Sequence, residues 1–270
     1  MSLLGVGSLS YHPEVNLSTV LLTQATFAAL FHLVNHATFK GALFMIIGII
    51  DFQVGTRDLR RLGGLMSLMP ISFSVALIGS FSMAGLPPFN GFLSKEMFFT
   101  AMLHLTQFDL FSVDAVVALF PVFAWIASIF TFIYSMTIVF ETFLGKKKGR
   151  VTEQTKEPPF GMLISPIVLA TLVILIFFFP NTFANYLLKP AIVSIYPFVN
   201  VNDIGNISLW HGFSAELWMT IGIIIVGSIL FLYRKQLKKA FVLFPYELSL
   251  DRLYNRTLYY GEKLFKKTTN

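Results

Sequence analysis

The chain has 270 residues, of which 55% are hydrophobic, 16% aromatic and 13% charged, with a net charge of +6 and no cysteine; its mean hydropathy is +0.71. This composition excludes a soluble globular domain, and the lack of cysteine excludes a disulfide framework, a thiolate metal site and a thiol nucleophile. The positive charge gathers in short blocks beside apolar runs, which is a pattern of membrane topology rather than of nucleic-acid binding.

The first residues, MSLLGVGSLSYHPEVNLS, have neither a charged n-region nor a small-residue cleavage site, so they do not read as a signal peptide. They read as the end of one helix running into a polar loop, and we expect the chain to begin inside a larger architecture. An apolar run follows from about Val20 to Ile50, long enough to cross a bilayer, whose only titratable residues are His32, His36 and Lys40. A step of four residues advances a helix by about 400°, so the three side chains stay within about 80° of one face and about 12 Å of axial rise. Ionisable groups at membrane depth are expensive and usually line a buried ion path. Two histidines that titrate near neutrality suit a proton relay toward Lys40; the alternative is a set of polar side chains hydrogen-bonded to neighbouring helices for packing alone. An i, i+4 histidine pair also has zincin ligand geometry, but Leu33 stands where the general base belongs and no third ligand is evident.

After the loop DFQVGTRDLRRLGGL comes a second apolar run, Pro70 to Leu105, interrupted by GLPPFNG. Pro87 and Pro88 remove two backbone donors, and Gly85 and Gly91 lower helicity, so the helix should open there and leave carbonyls free. Discontinuous helices of this kind build ion sites near the bilayer midplane, and Lys95, followed by Glu96, stands just past the break. Desolvation draws a lysine toward a range in which a nearby charge decides whether it keeps its proton. The competing reading is a lysine snorkelling to the interface from a hairpin turn.

Further apolar runs extend from about Val113 to Leu144, Gly161 to Pro180 and Gly212 to Tyr233, separated by the basic loop GKKKGRVTEQTKEPP and a polar stretch from Asn181 to Trp210. Lys and Arg cluster at Arg57 to Arg61, Lys146 to Lys156 and Arg234 to Lys239, whereas the loop around Asp109 has none and the stretch from Asn181 to Trp210 has only Lys189. With the three basic blocks inside, Pro70 to Leu105 crosses an odd number of times, as one interrupted helix. Two short crossings with a turn at Pro87 and Pro88 are the alternative and would put the Arg57 to Arg61 loop outside. Asp51 and Glu141 lie near span ends and read as interfacial, Glu216 faces either a path or the headgroups, and Trp210 and His211 read as interface anchors. The tail from Arg234 alternates basic and aromatic residues at helical spacing, as an interfacial amphipathic helix on the cytoplasmic face does; a solvated linker is the alternative.

The segments HLVNHATFKGALFMIIGIID, VGTRDLRRLGGLMSLMPISF and GLPPFNGFLSKE, in this order, resemble the proton-translocating antiporter family, which comprises the large subunits of Mrp-type Na+/H+ antiporters and the antiporter-like membrane subunits of respiratory complex I. With the later LWHGF, the wording is most similar to the A-type branch of the Mrp (Mnh, Sha) antiporter subunits. The resemblance implies that His32, His36 and Lys40 are a relay in the second of two inverted repeats, and that Lys95 is the terminal proton-bearing residue of a central hydrophilic axis. Glu96, Glu141 and Glu216 are accessory candidates. The family's first repeat, with its membrane glutamate and paired lysine, has no counterpart among these residues, so the resemblance implies half of an axis.

The expectation is therefore an all-α polytopic membrane protein with about five to six transmembrane helices, one of them discontinuous, and a C-terminal amphipathic helix. Residues 1–145 would be the second-repeat part of the antiporter domain, 146–233 two further membrane helices with their loops, and 234–270 a basic tail on the cytoplasmic face. The resemblance implies a component of a transporter rather than an enzyme, working without a cofactor in a bacterial cell membrane. It would assemble with other Mrp subunits and exchange Na+ for H+. The alternatives are an antiporter-like proton-pumping subunit of a complex I type NADH:quinone oxidoreductase and a non-conducting structural piece.

Overall fold

The computed structural model describes residues 16–105, 114–148, 155–197, 204–210, 212–237 and 250–268. The readings made on residues 1–15, the loop around Asp109, residues 149–154 and His211 lie outside them. Every regular element among the described residues is helical. Helix α1, Asn16–Val54, has 39 residues, no proline and an almost continuous apolar sequence, so nothing interrupts it until Gly55. There a left-handed φ of 72° ends the helix, and the Gly55 N–H closes on the carbonyl of Asp51 at 2.7 Å.

After a 3-10 turn at Leu65–Ser67, helix α2 spans Pro70–Ala84 and helix α3 spans Asn90–Leu105. Gly85 stops α2 in the left-handed conformation, its N–H on the carbonyls of Phe81 and Ser82, and Leu86 N–H reaches the carbonyl of Phe81 at 3.0 Å. The Pro87–Pro88 peptide is cis.

Contacts along α1 show how the two pieces run. From its N-terminal half onward, Ala25, Ala28 and Ala29 meet Met102, His32 meets Ser94, and Asn35 meets Asn90. Phe39 and Leu43 then meet Met83 and Gly79, and Ile46 to Val54 share a core with Val75 and Ala76. The partners descend in number from α3 straight into α2, so both pieces run antiparallel to α1 as a single interrupted crossing, the first of the two topologies read from sequence.

Helix α4, Asp114–Thr137, continues as a π-helical turn over Ile138–Phe143. Tyr134 meets Met83 and Phe143 meets Phe73, so α4 runs antiparallel to α2 and parallel to α1. Helix α5, Phe160–Phe178, returns antiparallel to α1, with Leu163 and Ala170 in the core of its C-terminal half and Ile176 beside Phe27 and Phe31. The polar stretch read as a loop contains three helical pieces: α6 at Pro180–Phe183, a π-helical turn at Ala184–Leu188 and α7 at Lys189–Ile195. Pro180 suits a first helical position, and Ala184, Leu188 and Ile192 recur at intervals of four and bury against Phe31 and Phe92.

Helix α8, Ala215–Leu232, lies alongside α4 in the same direction, Gly222 against Trp125 and Gly227 against Phe132. Among the described residues four helices, α1, α4, α5 and α8, are long and apolar enough to cross a membrane. Most of their large outward residues, Phe44, Phe123, Phe130, Val168 and Ile225 among them, are apolar, as lipid or another membrane segment requires. The chain divides after Gly227 into two units. Within the second, the Arg234 guanidinium stacks on Phe231 at 4.0 Å, and α9, Leu250–Thr268, carries an amphipathic sequence with Tyr254, Leu258, Tyr259 and Tyr260 exposed.

Candidate functional site

The break between α2 and α3 is the centre of a polar cluster inside the apolar bundle. Its geometry begins with Gly91, where a Cβ would stand 1.8 Å from the carbonyl oxygen of Ser82, so only glycine lets the start of α3 lie on the end of α2. Gly91 N–H donates to Ser82 Oγ at 3.0 Å, and Ser82 Oγ donates to Asn90 Oδ1 at 2.7 Å. Asn90 then spends its amide on α1, donating to Asn35 Oδ1 at 2.9 Å and Thr38 Oγ1 at 3.1 Å, while Asn35 Nδ2 donates to the Asn90 carbonyl at 3.4 Å. Asn35, Ser82 and Asn90 are wholly buried, and these bonds satisfy amides that hydrocarbon could not.

Lys95, one turn into α3, is 8% exposed, and its Nζ donates to the Ala84 carbonyl at 2.8 Å. That carbonyl is one of those left without an intrahelical partner when α2 stops. The last turn of a helix is also electronegative, so backbone and dipole together suit an ammonium there. Gly85 makes room for it: a Cβ would lie 2.5 Å from Lys95 Cδ. Glu96 is buried beside it at 5% exposed.

The stripe on α1 is held at both ends. Ser94 Oγ donates to the Gly91 carbonyl at 3.2 Å, and the same oxygen lies 3.2 Å from Nδ1 of His32, which it can accept from when Nδ1 carries a proton. The His32 ring lies 5.9 Å from that of His36, which meets Phe39 edge-on at 5.4 Å. His36 itself is exposed. Lys40 Nζ donates to Tyr134 Oη of α4 at 3.4 Å and stands 5.1 Å from the centre of that ring. Tyr134 Oη in turn donates to Met83 Sδ at 3.2 Å. Both ends of the stripe are thus tied to residues adjacent in sequence to the Lys95 contact: Ser94 precedes Lys95, and Met83 precedes Ala84.

Other sequence candidates lie elsewhere. Glu141 sits half-buried in the π-helical turn, where Gly63 packs on the backbone of Glu141 and Lys146. Glu216 is in the first turn of α8, toward the opposite end of α4. Asp51 pairs with Arg57 at 2.8 Å at the end of α1, and Trp210 is exposed with its ring 5.9 Å from Phe213. Among the described residues no group of three or more His, Asp or Glu could hold a metal ion.

The family model described as "NADH:quinone oxidoreductase/Mrp antiporter, TM" matches residues 12–120, a stretch that includes the stripe and the broken helix. The chain is 52% identical over 267 residues to the A-type subunit of the Na(+)/H(+) antiporter of Bacillus subtilis (strain 168), covering 97% of this chain and 33% of that protein. It is 50% identical over 244 residues to the protein of the same name from Alkalihalophilus pseudofirmus, covering 89% of this chain and 30% of that one.

Over nearly all of its length the chain is similar to part of an Mrp-type antiporter membrane subunit.

It spans about a third of the length of the curated relatives it matches. The fold agrees: a solved Mrp complex from Dietzia sp. DQ12-45-1b contains a chain that superposes with a TM-score of 0.63 at 27% identity, over 94% of this chain and 27% of that one. An all-helical multi-pass membrane protein is thus the architecture of this chain, like the part of the Mrp complex it resembles.

Reading the sequence for charges found His32, His36, Lys40 and Lys95 but passed over the neutral groups between them: Asn35, Thr38, Ser82, Asn90, Ser94 and Tyr134. A signal was there for the amides. Asn35 and Asn90 stand in apolar runs, where an unpaired amide is costly, so each implies a polar partner. Tyr134 had no such signal, since tyrosine is ordinary in a membrane helix.

Proposed function

We propose that this chain is part of a membrane subunit of a multisubunit Na+/H+ antiporter, in which His32, His36 and Lys40 relay protons and Lys95 is the terminal proton-bearing residue. Residues 1–145 serve as the second-repeat part of the antiporter core, 146–233 as two further membrane helices with their loops, and 234–270 as a basic tail on the cytoplasmic face. Its partners are the other Mrp subunits of a bacterial cell membrane, and its transported ions are Na+ and H+. Glu96, Glu141 and Glu216 are accessory to the path.

The observation that carries the reading is the Lys95 ammonium, buried in an apolar bundle and held by a backbone carbonyl that lacks an intrahelical partner because the helix is broken. A protonated lysine suits that carbonyl, and a neutral one loses most of the attraction, so the charge on Lys95 decides whether the two halves of the crossing are tied. Binding of a second cation nearby disfavours the charged lysine and supplies the coupling an antiporter needs.

In the assembled complex, Lys95→Ala is expected to abolish Na+-dependent proton flux in membrane vesicles, and flux at the wild-type level would overturn the assignment. The same family description names NADH:quinone oxidoreductase, which favours a second reading in which these groups pump protons without sodium. Flux that persists with sodium absent and follows NADH oxidation would select that reading.

A further inference from the structure

We propose that Tyr134, on α4, ties the charge of Lys40 to the end of α2, acting as a hydroxyl switch between the relay stripe and the residues that hold Lys95. The inference rests on the relay reading above and adds a positioning residue that lies on neither the stripe nor the broken helix.

The geometry is a chain of single contacts. Lys40 Nζ donates to Tyr134 Oη at 3.4 Å, and Tyr134 Oη donates to Met83 Sδ at 3.2 Å. Ala84, the next residue, offers its carbonyl to Lys95 at 2.8 Å. A phenol has one proton and can both give and accept. While Lys40 is an ammonium it has only donors, so Tyr134 accepts from it and must turn its own proton elsewhere. The thioether of Met83 accepts that hydrogen bond. When Lys40 loses its proton its nitrogen becomes an acceptor, stronger than a thioether, and the phenol proton turns toward it. The bond to Met83 is then released. No proton is transferred by Tyr134; its hydroxyl only reorients.

The surroundings leave few competitors for this role. Helices α2 and α5 pack on α1 and carry no titratable residue. The remaining groups on elements packed together here are His32, His36 and Asp51 on α1, Lys95, Glu96 and His104 on α3, Asp114 and Glu141 on α4 with its π-helical turn, Glu216 on α8, and Tyr186, Lys189 and Tyr196 around α7. Of these, Asp51 pairs with Arg57, Lys189 bonds Asn206 and Tyr196 bonds Thr26.

The test uses the full antiporter complex and the pH profile of Na+-dependent proton flux. Tyr134→Phe keeps the ring and its cation–π contact but removes the hydroxyl. Losing that hydroxyl removes the link from the Lys40 side chain to Met83, so the midpoint of the flux profile is expected to move by about one pH unit. Met83→Leu is expected to move it the same way by less, and to add nothing on top of Tyr134→Phe, because the two act through one hydroxyl. An unmoved midpoint in Tyr134→Phe, or shifts that add in full, would overturn the proposal. Should Tyr134→Phe fail to assemble, Met83→Leu decides alone, and an unmoved midpoint counts against the switch. Lys40→Met distinguishes the relay from the switch: full flux in that variant defeats the relay reading itself. Lost flux there with an unmoved profile in Tyr134→Phe defeats only the role of Tyr134.

Discussion

Asn90, at the first residue of the second half-helix, and Asn35, in the middle of α1, hydrogen-bond each other twice, once side chain to side chain at 2.9 Å and once side chain to backbone at 3.4 Å. This pair locks the broken crossing to the helix that carries the stripe, and it sits between the two places where stripe and break touch. Asn90→Ala leaves the Asn35 amide and the Ser82 hydroxyl short of partners in a buried site. The expected loss is about 1–3 kcal/mol, read as a lower thermal stability of the complex in detergent. Stability equal to wild type would mean that water replaces Asn90 and that the pair is not a lock.

Gly91→Ala should be far more damaging than its size suggests. The new methyl would lie 1.8 Å from the carbonyl oxygen of Ser82, which is backbone and cannot swing aside, so α3 must leave α2. Loss of assembled complex is expected on native gels. Gly48→Ala is the control, since its Cβ meets nothing within 4 Å, and it should accumulate normally.

His32 and His36 are expected to weaken flux when changed to alanine, and Ser94→Ala should reproduce part of the His32 effect because Ser94 holds the Nδ1 side of that ring. A neutral hydrogen bond of about 1 kcal/mol corresponds to a decrease of several fold, not a complete loss. Unchanged pH profiles in both histidine variants would make the rings structural, and an unaltered Ser94→Ala beside a dead His32→Ala would free His32 from Ser94.

Glu157 caps a helix from a distant loop. Its carboxylate accepts from the N–H groups of Ile71 at 2.9 Å and Ser72 at 3.1 Å, and from the Ser72 hydroxyl, where α2 has no cap of its own. Glu157→Ala should therefore cost about 1 kcal/mol at the start of α2 and speed hydrogen exchange at Ile71 and Ser72. Exchange as slow as in wild type would show that the cap is replaceable.

The loop after α1 has a pH dependence whose sign follows from Asp58. Hydrogen bonds from the Arg60 side chain and backbone hold the Asp58 carboxyl below its usual range. A carboxyl depressed on folding contributes order that is present above its unfolded value and is lost as pH falls through the folded value. The Arg60 amide is thus expected to stay protected through neutral pH and to open only on acidification below the ordinary carboxylate range. Asp58→Asn should show the open behaviour at every pH, and an Arg60 amide equally protected in that variant would argue against the link.

The long apolar runs, the stripe and the break were legible in the sequence because each rests on local rules. Apolar length reports bilayer crossing, residues at steps of four share a helix face, and Pro-Pro between glycines stops a helix wherever it occurs. Lys95 stood out for the same reason, as a charge next to a break. The helical pieces around Leu188 were masked by polar neighbours, since their apolar face becomes meaningful only against Phe31 and Phe92.

What tertiary structure decided was which groups meet. Two topologies fitted the run Pro70 to Leu105, and only the order of contacts along α1 shows one interrupted crossing. The partners of the titratable residues His32, Lys40 and Lys95, namely Ser94, Tyr134 and the Ala84 carbonyl, are uncharged and come from other elements or the backbone, up to 94 positions away in sequence. Such contacts leave no periodicity to read. A charge is conspicuous in an apolar sequence because its solvation is costly, whereas the neutral dipoles that make it tolerable are inconspicuous until packing brings them within hydrogen-bond reach.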